Sequence, residues 1–168
     1  LASAINSPAF TADRHYAFDG STSYIDTGFV PATHAVAMST DSVHAELYER
    51  SNLSGSTTSM GTNSSGARQI RLLARSGSGA TAYANCNAAS FTLPSVTSLG
   101  LTHIGRSGSA ATDAYAAKNG VAMPRTTDPS GIGPSLPAHS LYIGGFNNQG
   151  TFANGRACTV GFAAWGAA

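Results

Sequence analysis

The chain has 168 residues, 42% of them hydrophobic and only 10% charged, with a formal net charge of +1. That length suits one domain burying roughly 70% of the surface its unfolded chain exposes. So weak a charge balance gives no basic field, which argues against nucleic acid as a partner. The absence of any apolar run of 18 or more residues excludes a membrane-spanning helix and argues against membrane insertion.

The first fifteen residues, within "LASAINSPAFTADRHY", lack the charged start and long apolar core of a signal peptide. They are expected to be a lead-in, with one sandwich domain over residues 16–168. Because Leu1 is no initiator, the chain is expected to be a processed product or a piece of something longer. Next, "FDGSTSYID" sets a Gly-Ser turn between two aromatic-bearing runs. Asp19 and Asp26 flank it as a turn former and a strand-end cap, with calcium ligation as the alternative.

In "SVHAELYER", Val43, Ala45 and Leu47 point one way and His44, Glu46, Tyr48 and Arg50 the other, the period-two alternation of a strand with one face in a core. "RQIRLLAR" repeats the pattern, Ile70, Leu72 and Ala74 opposing Gln69, Arg71 and Arg75. "RSGSGAT" and "RSGSAAT" read as hairpin tips. "KNGV" carries Asn119-Gly120, the pair that supplies two positive φ values to a tight hairpin. The prolines of "MPRTTDPSGIGPSLPAH" predict a long irregular surface connection. Leu141–Phe146 and Arg156–Trp165 predict two late core strands around the loop "NNQGTFANG", and in the second, Cys158, Val160, Phe162 and Ala164 are expected to share the core face. Cys86 and Cys158 read as free buried thiols, with a single bridge as the alternative. No apolar stripe at helical spacing exists, so no helix longer than two turns is expected. Many short strands joined by Gly-rich turns give an all-β fold, an antiparallel β-sandwich.

Three phrases in order add a resemblance. "YAFDGSTSYIDTGFVP", "LGLTHIGRSGSAATDAYAAKNGVAM" and "LYIGGFNNQGTFANGRACTVGFAAWGAA" resemble the opening, central and closing units of concanavalin A-like, laminin-G-like jelly-roll domains, in the variant found in tailed-phage tail and virion surface proteins. The resemblance runs from about Tyr16 to Ala168 and lacks the short helix that usually follows the last strand, so the domain is expected to be truncated or to continue. It implies a jelly roll and a non-enzymatic lectin-like module of a tail fibre, spike or capsid decoration. Such a module would be homo-oligomeric in its particle, assembled in the host cytoplasm, and displayed on the virion surface or otherwise extracellular. Its partners would be host surface carbohydrate or other virion proteins. The alternatives are a purely structural decoration or subunit-interaction module and an accessory carbohydrate-binding module of a secreted bacterial enzyme.

The chemistry agrees with a binding role. Glycosidases need two carboxylates roughly 5 to 9 Å apart, whereas Glu46 and Glu49, three apart on a strand, point to opposite faces. Histidines 15, 34, 44, 103 and 139 never pair at ligand spacing, so neither a metal nor a cofactor is expected. For neutral sugars the candidates are Asn147, Asn148 and Gln149, whose amides offer donors and acceptors, with Tyr24 as an aromatic face and Arg106 as a further donor. Tyr48, Tyr83 and Tyr115 are exposed candidates of the same kind. Half-buried packing is the competing role for the tyrosines and turn chemistry for the amides. For Arg71, Arg75 and Arg106 the competing role is a solvated face or a subunit contact.

Overall fold

The computed structural model describes residues 1–12, 14–85, 87, 89–93, 96–129 and 131–168. In chain order the strands are β1 (Ser3–Ile5), β2 (Ala9–Thr11), β3 (His15–Ala17), β4 (Tyr24–Asp26), β5 (Ser42–Glu49), β6 (Met60–Ser65), β7 (Arg68–Ser76), β8 (Gly79–Ala84) and β9 (Ala89–Thr92). There follow β10 (Gly100–Ser107), β11 (Ala114–Lys118), β12 (Val121–Ala122), β13 (Arg125–Thr127), β14 (Tyr142–Ile143), β15 (Phe146–Asn148), β16 (Thr151–Ala153) and β17 (Thr159–Gly166). Helix among the described residues is limited to α1 (Pro31–His34), which starts on a proline, and a single 3-10 turn at Ala111–Asp113.

The strands form an antiparallel β-sandwich. One sheet runs β1-β4-β14-β6-β7-β8-β9-β13, with the β15–β16 hairpin attached where β15 lies parallel to β6; the other runs β12-β11-β10-β5-β17-β3-β2. The lead-in residues contribute to both layers, β1 pairing with β4 and β2 with β3. The core fills the space where β5 and β10 face β7 and β8. Val43, Ala45 and Leu47 are all but inaccessible, as are Ile104 beside them on β10 and Ile70 and Leu72 on the facing sheet. Each such aliphatic side chain contributes about 1.5–3 kcal/mol by leaving water. Cys158 is a buried thiol; Cys86 lies outside the described residues, and with it the question of their pairing.

Two expectations are corrected. In β17, Val160 faces Glu49 and Phe162 faces Tyr48, so Gly161 is an extra residue, a β-bulge. The alternation slips by one there: Ala163 and Trp165 pack against the core, while Phe162 stands 50% exposed on the outer face. The proline-rich connection also holds more structure than expected. Arg125–Thr127 pairs with β9, Met123 is buried, and Leu136 packs against the core.

The hairpin from β11 to β12 turns through Asn119 (φ 50°) and Gly120 (φ 80°), with Lys118 opposite Val121. Those are the signs of a type I′ turn, and Asn119 Oδ1 also accepts the Leu101 N–H (2.8 Å). A Cβ at Gly120 would meet nothing within 4 Å, so the only cost of a side chain there is conformational. Gly120→Val is therefore expected to destabilise the domain by about 1–3 kcal/mol in urea titration, through the φ that a β-branched residue resists. An unchanged midpoint would refute this account of the turn.

Candidate functional site

The amide-rich segment is a clamped hairpin, not an open loop. β15 and β16 pair through Phe146–Ala153, Asn147–Phe152 and Asn148–Thr151, turning at Gln149 (φ 54°) and Gly150 (φ 91°). Two rings fasten it to the outer face of the larger sheet. Phe146 is buried under the Arg71 guanidinium, 4.3 Å from its ring centre, and Phe152 stacks on Tyr24 at 4.5 Å and 12°. Tyr24 also leans on Tyr142, centre to centre 4.4 Å. The Tyr142 phenol is pushed up to about 12 by burial, with Tyr24 adding to the shift.

This geometry disperses the five residues proposed for sugar. Asn147 is 2% exposed. Its Nδ2 donates to the Ser140 carbonyl and its Oδ1 accepts the Gly150 N–H, each at 2.8 Å, so it builds the turn and offers nothing to a ligand. Asn148 and Gln149 are exposed at the tip, where Asn63 Nδ2 donates to Asn148 Oδ1 (2.9 Å). Tyr24 spends its ring on Phe152. Arg106 belongs to the other sheet and is fully buried, correcting both the sugar role and the solvated-face role. It stands in register with inward-facing Val43 and Ala114, and its Nη1 donates to the carbonyls of Gly108 and Ala110, holding the β10–β11 connection. Arg71 is likewise packed between rings, with its Nε donating to Thr58 Oγ1.

The acids are committed too. Asp19 accepts the N–H groups of Ser23, Thr22 and Ser21 together with the Thr22 hydroxyl, which hold its carboxyl well below the usual range. Asp26 accepts the Gly28 N–H. Glu49 is fully buried and pairs with the equally buried Arg156, whereas Glu46 lies on the opposite face of β5. The two carboxylates share no cleft.

A second surface does gather binding chemistry: the outer face of the seven-stranded sheet. Register places its side chains in three rows. Phe162, Tyr48 and Leu101 form the first, Ala164, Glu46, His103 and Ala117 the second, and Gly166, His44, Gly105 and Tyr115 the third. Tyr48 and Tyr115 are exposed, and His103 stacks between His44 (5.6 Å, 8°) and Tyr115 (5.3 Å, 24°). Gly105 is necessary here, since a Cβ would reach within 2.4 Å of the Tyr115 hydroxyl. His103 Nδ1 lies 2.9 Å from Glu46 Oε1, and both side chains keep about a quarter of their surface in solvent. The His44 Nδ1 faces the Ala167 carbonyl at 2.6 Å, which fixes that nitrogen as the protonated one. Burial, with Glu46 nearby, raises the Tyr115 phenol. The middle row, flanked by alanines, is thus a polar strip between aromatic walls. Sequence alternation already grouped His44, Glu46 and Tyr48; only strand register could add His103, Tyr115 and Phe162.

No protein-family model, curated protein or solved structure matches the chain.

Two expectations follow from the buried charges. Glu49→Gln would strand Arg156 without its counter-ion and should cost about 3–5 kcal/mol in denaturant titration; a loss below 1 kcal/mol would show that the pair does not hold the fold. The second concerns pH. Lys118, buried with Nζ donating to the Ser98 carbonyl (2.7 Å) and Thr102 Oγ1 (2.8 Å), has its pKa pushed down to about 8 by burial. Above that pH the unfolded chain still binds a proton that the folded chain has released, so stability rises with pH. Burial pushes the Cys158 thiol up, which works in the opposite sense once unfolded thiols ionise, near pH 8.5–9. The urea midpoint should therefore rise between pH 7.5 and 8.5, by up to about 1 kcal/mol per pH unit. In Cys158→Ala the rise should continue toward pH 10, and in Lys118→Met it should be absent. A wild-type midpoint that is flat or falling over that interval would contradict the assignment.

Proposed function

We propose that the chain is a non-catalytic, lectin-like module of a phage or phage-derived virion protein that contacts host surface glycan, in a jelly-roll version of the sandwich. What carries the glycan reading is the polar strip of Glu46 and His103 between Tyr48 and Phe162 on one side and His44 and Tyr115 on the other. Sugar rings present C–H faces that lie on aromatic side chains and hydroxyls that hydrogen-bond to a carboxylate such as that of Glu46 and to phenol hydroxyls. The face is broad and shallow, and each neutral hydrogen bond to a solvated sugar nets only about 0.5–1.5 kcal/mol, so single-site binding is weak. Several copies per particle, as a homo-oligomeric virion protein would supply, raise avidity by roughly 10²–10⁴. The virion setting rests on the three resembling phrases of the sequence. A structural decoration role is the second reading, favoured by the exposure of Phe162 and Tyr48 as an apolar patch.

The test is retention on an array of bacterial capsular and O-antigen oligosaccharides, with the protein displayed multivalently. Tyr48→Ala combined with Tyr115→Ala should reduce retention at least tenfold with an unchanged circular dichroism spectrum, while Asn148→Ala should leave it intact. Absence of retention by the wild type, or retention indifferent to both tyrosines, would remove the glycan reading and leave the decoration role.

A further inference from the structure

The three rows on the outer face of the seven-stranded sheet hold a single carboxylate, Glu46, and no lysine or arginine. Glu46 Oε1 is engaged by His103 Nδ1 at 2.9 Å, whereas Oε2 meets no hydrogen-bond donor among the described residues. Alanine closes the row at each end, Ala164 next to Glu46 and Ala117 next to His103, so nothing bulky in the row covers the free oxygen. Arg50 lies past Tyr48, beyond the end of the strip, where its Nη1 reaches the Arg14 carbonyl (3.5 Å).

The imidazole does not offset the charge. An ionised carboxylate can only accept, so the ring N–H at Nδ1 donates to Oε1. A second proton would have to sit on His103 Nε2, which is shut off from solvent and has no partner. An N–H buried there would go unpaired, at the cost of its lost hydration. His103 therefore meets Glu46 as a neutral donor, and the negative charge stays on a carboxylate that keeps about a quarter of its side-chain surface in solvent. The neighbouring ring faces, Tyr48 and Phe162 on one side and Tyr115 on the other, carry negative π density and favour a cation in the same way.

Resting on the glycan reading, we infer that the strip selects sugars bearing a free amino group, whose ammonium donates to Glu46 Oε2 while the sugar ring lies against the tyrosines. Uronic and other acidic sugars are selected against. An ammonium-to-carboxylate hydrogen bond is charge-assisted and roughly twice as strong as the neutral contacts that sugar hydroxyls make. Because the carboxylate is half-buried, salt screens the pair less than it would two fully exposed charges. N-acetylation of the amine removes the charge and most of the donors. A sugar carboxylate in the same place would meet Glu46 as a like charge, with no lysine or arginine in the three rows to receive it.

The test displays the protein multivalently and measures retention at neutral pH on three matched oligosaccharides: a glucosamine oligomer, its N-acetylated form, and a galacturonic acid oligomer. Retention is expected to be at least tenfold greater on the free amine than on the N-acetylated form, and least on the acid. Glu46→Gln keeps the size of the side chain and an oxygen for His103 Nδ1. It should bring the amine and N-acetylated forms within about twofold of each other, with circular dichroism unchanged. Oligolysine immobilised at the same amine density separates a sugar ammonium from a protein one. Equal retention of the first two sugars, strongest retention of the acid, or an amine preference that survives Glu46→Gln would overturn the inference and leave the glycan reading standing. Oligolysine held as strongly as glucosamine, and released by Glu46→Gln, would give the ammonium to a polypeptide and overturn the sugar assignment. Retention of none of the three sugars would remove the glycan reading and this inference with it.

Discussion

The ion pair between Glu49 and Arg156 is the constraint on which the rest of the sandwich depends. Arg156 Nε meets Glu49 Oε1 at 2.9 Å and its Nη2 meets Oε2 at 3.3 Å, both side chains shut away from water. The remaining donors of Arg156 go to the carbonyls of Leu53 and Gly55 and the hydroxyl of Thr57, and Ser59 donates its hydroxyl to Glu49. Its own N–H donates to the Gly144 carbonyl. One charged cluster thereby ties together the end of β5, the connection into β6, the turn after β14 and the approach to β17. Burying two charges is costly, and an apolar pair of equal volume often does as well or better energetically. What an apolar pair would not supply is direction: five groups from the β5–β6 connection and β5 itself must converge for either charge to be satisfied, which leaves little freedom in how β17 enters the sheet.

That entry point decides the surfaces. Val160 is set against Glu49, the bulge at Gly161 follows, and the register then brings Phe162 beside Tyr48 and Ala164 beside Glu46. Without the bulge, Phe162 would turn inward and Trp165 outward, and the aromatic wall of the outer face would be lost. A single extra residue therefore links the packing of the core to the aromatic outer face of the seven-stranded sheet. Such coupling is common where bulges re-aim side chains near functional sites.

The same bulge explains where the sequence was and was not legible. The β5 alternation is readable because it runs unbroken, and the Asn119-Gly120 turn because Asn-Gly is the pair that most readily takes the two positive φ values of a type I′ hairpin. In β17 a period-two reading carried across Gly161 put Phe162 in the core, since an inserted residue leaves no mark on hydrophobicity. Asn147 looked like a surface amide because its neighbours Asn148 and Gln149 are; its burial comes from the hairpin folding back onto Tyr24, Tyr142 and Arg71, contacts between segments far apart in the chain. Arg106 was misplaced for a related reason. Its position on the inward side of β10 follows from alternation with Ile104, but an arginine is read as exposed until carbonyls are found to receive it, and those of Gly108 and Ala110 become available only through the shape of the connection.

The buried charges also change what the surface can do. Of a chain with only 10% charged residues, Glu49, Arg106, Lys118 and Arg156 are withdrawn from solvent altogether. Composition therefore overstates the charge that a partner meets, and long-range steering, which depends on that charge, contributes little to association. Recognition by such a surface has to come from short-range contacts: ring faces and side-chain hydrogen bonds. The outer face of the seven-stranded sheet carries both, with the rings of Tyr48, Phe162 and Tyr115 around Glu46 and the imidazoles. Because such contacts are weak one at a time and insensitive to salt, binding strength at a surface of this kind is governed by how many are engaged together.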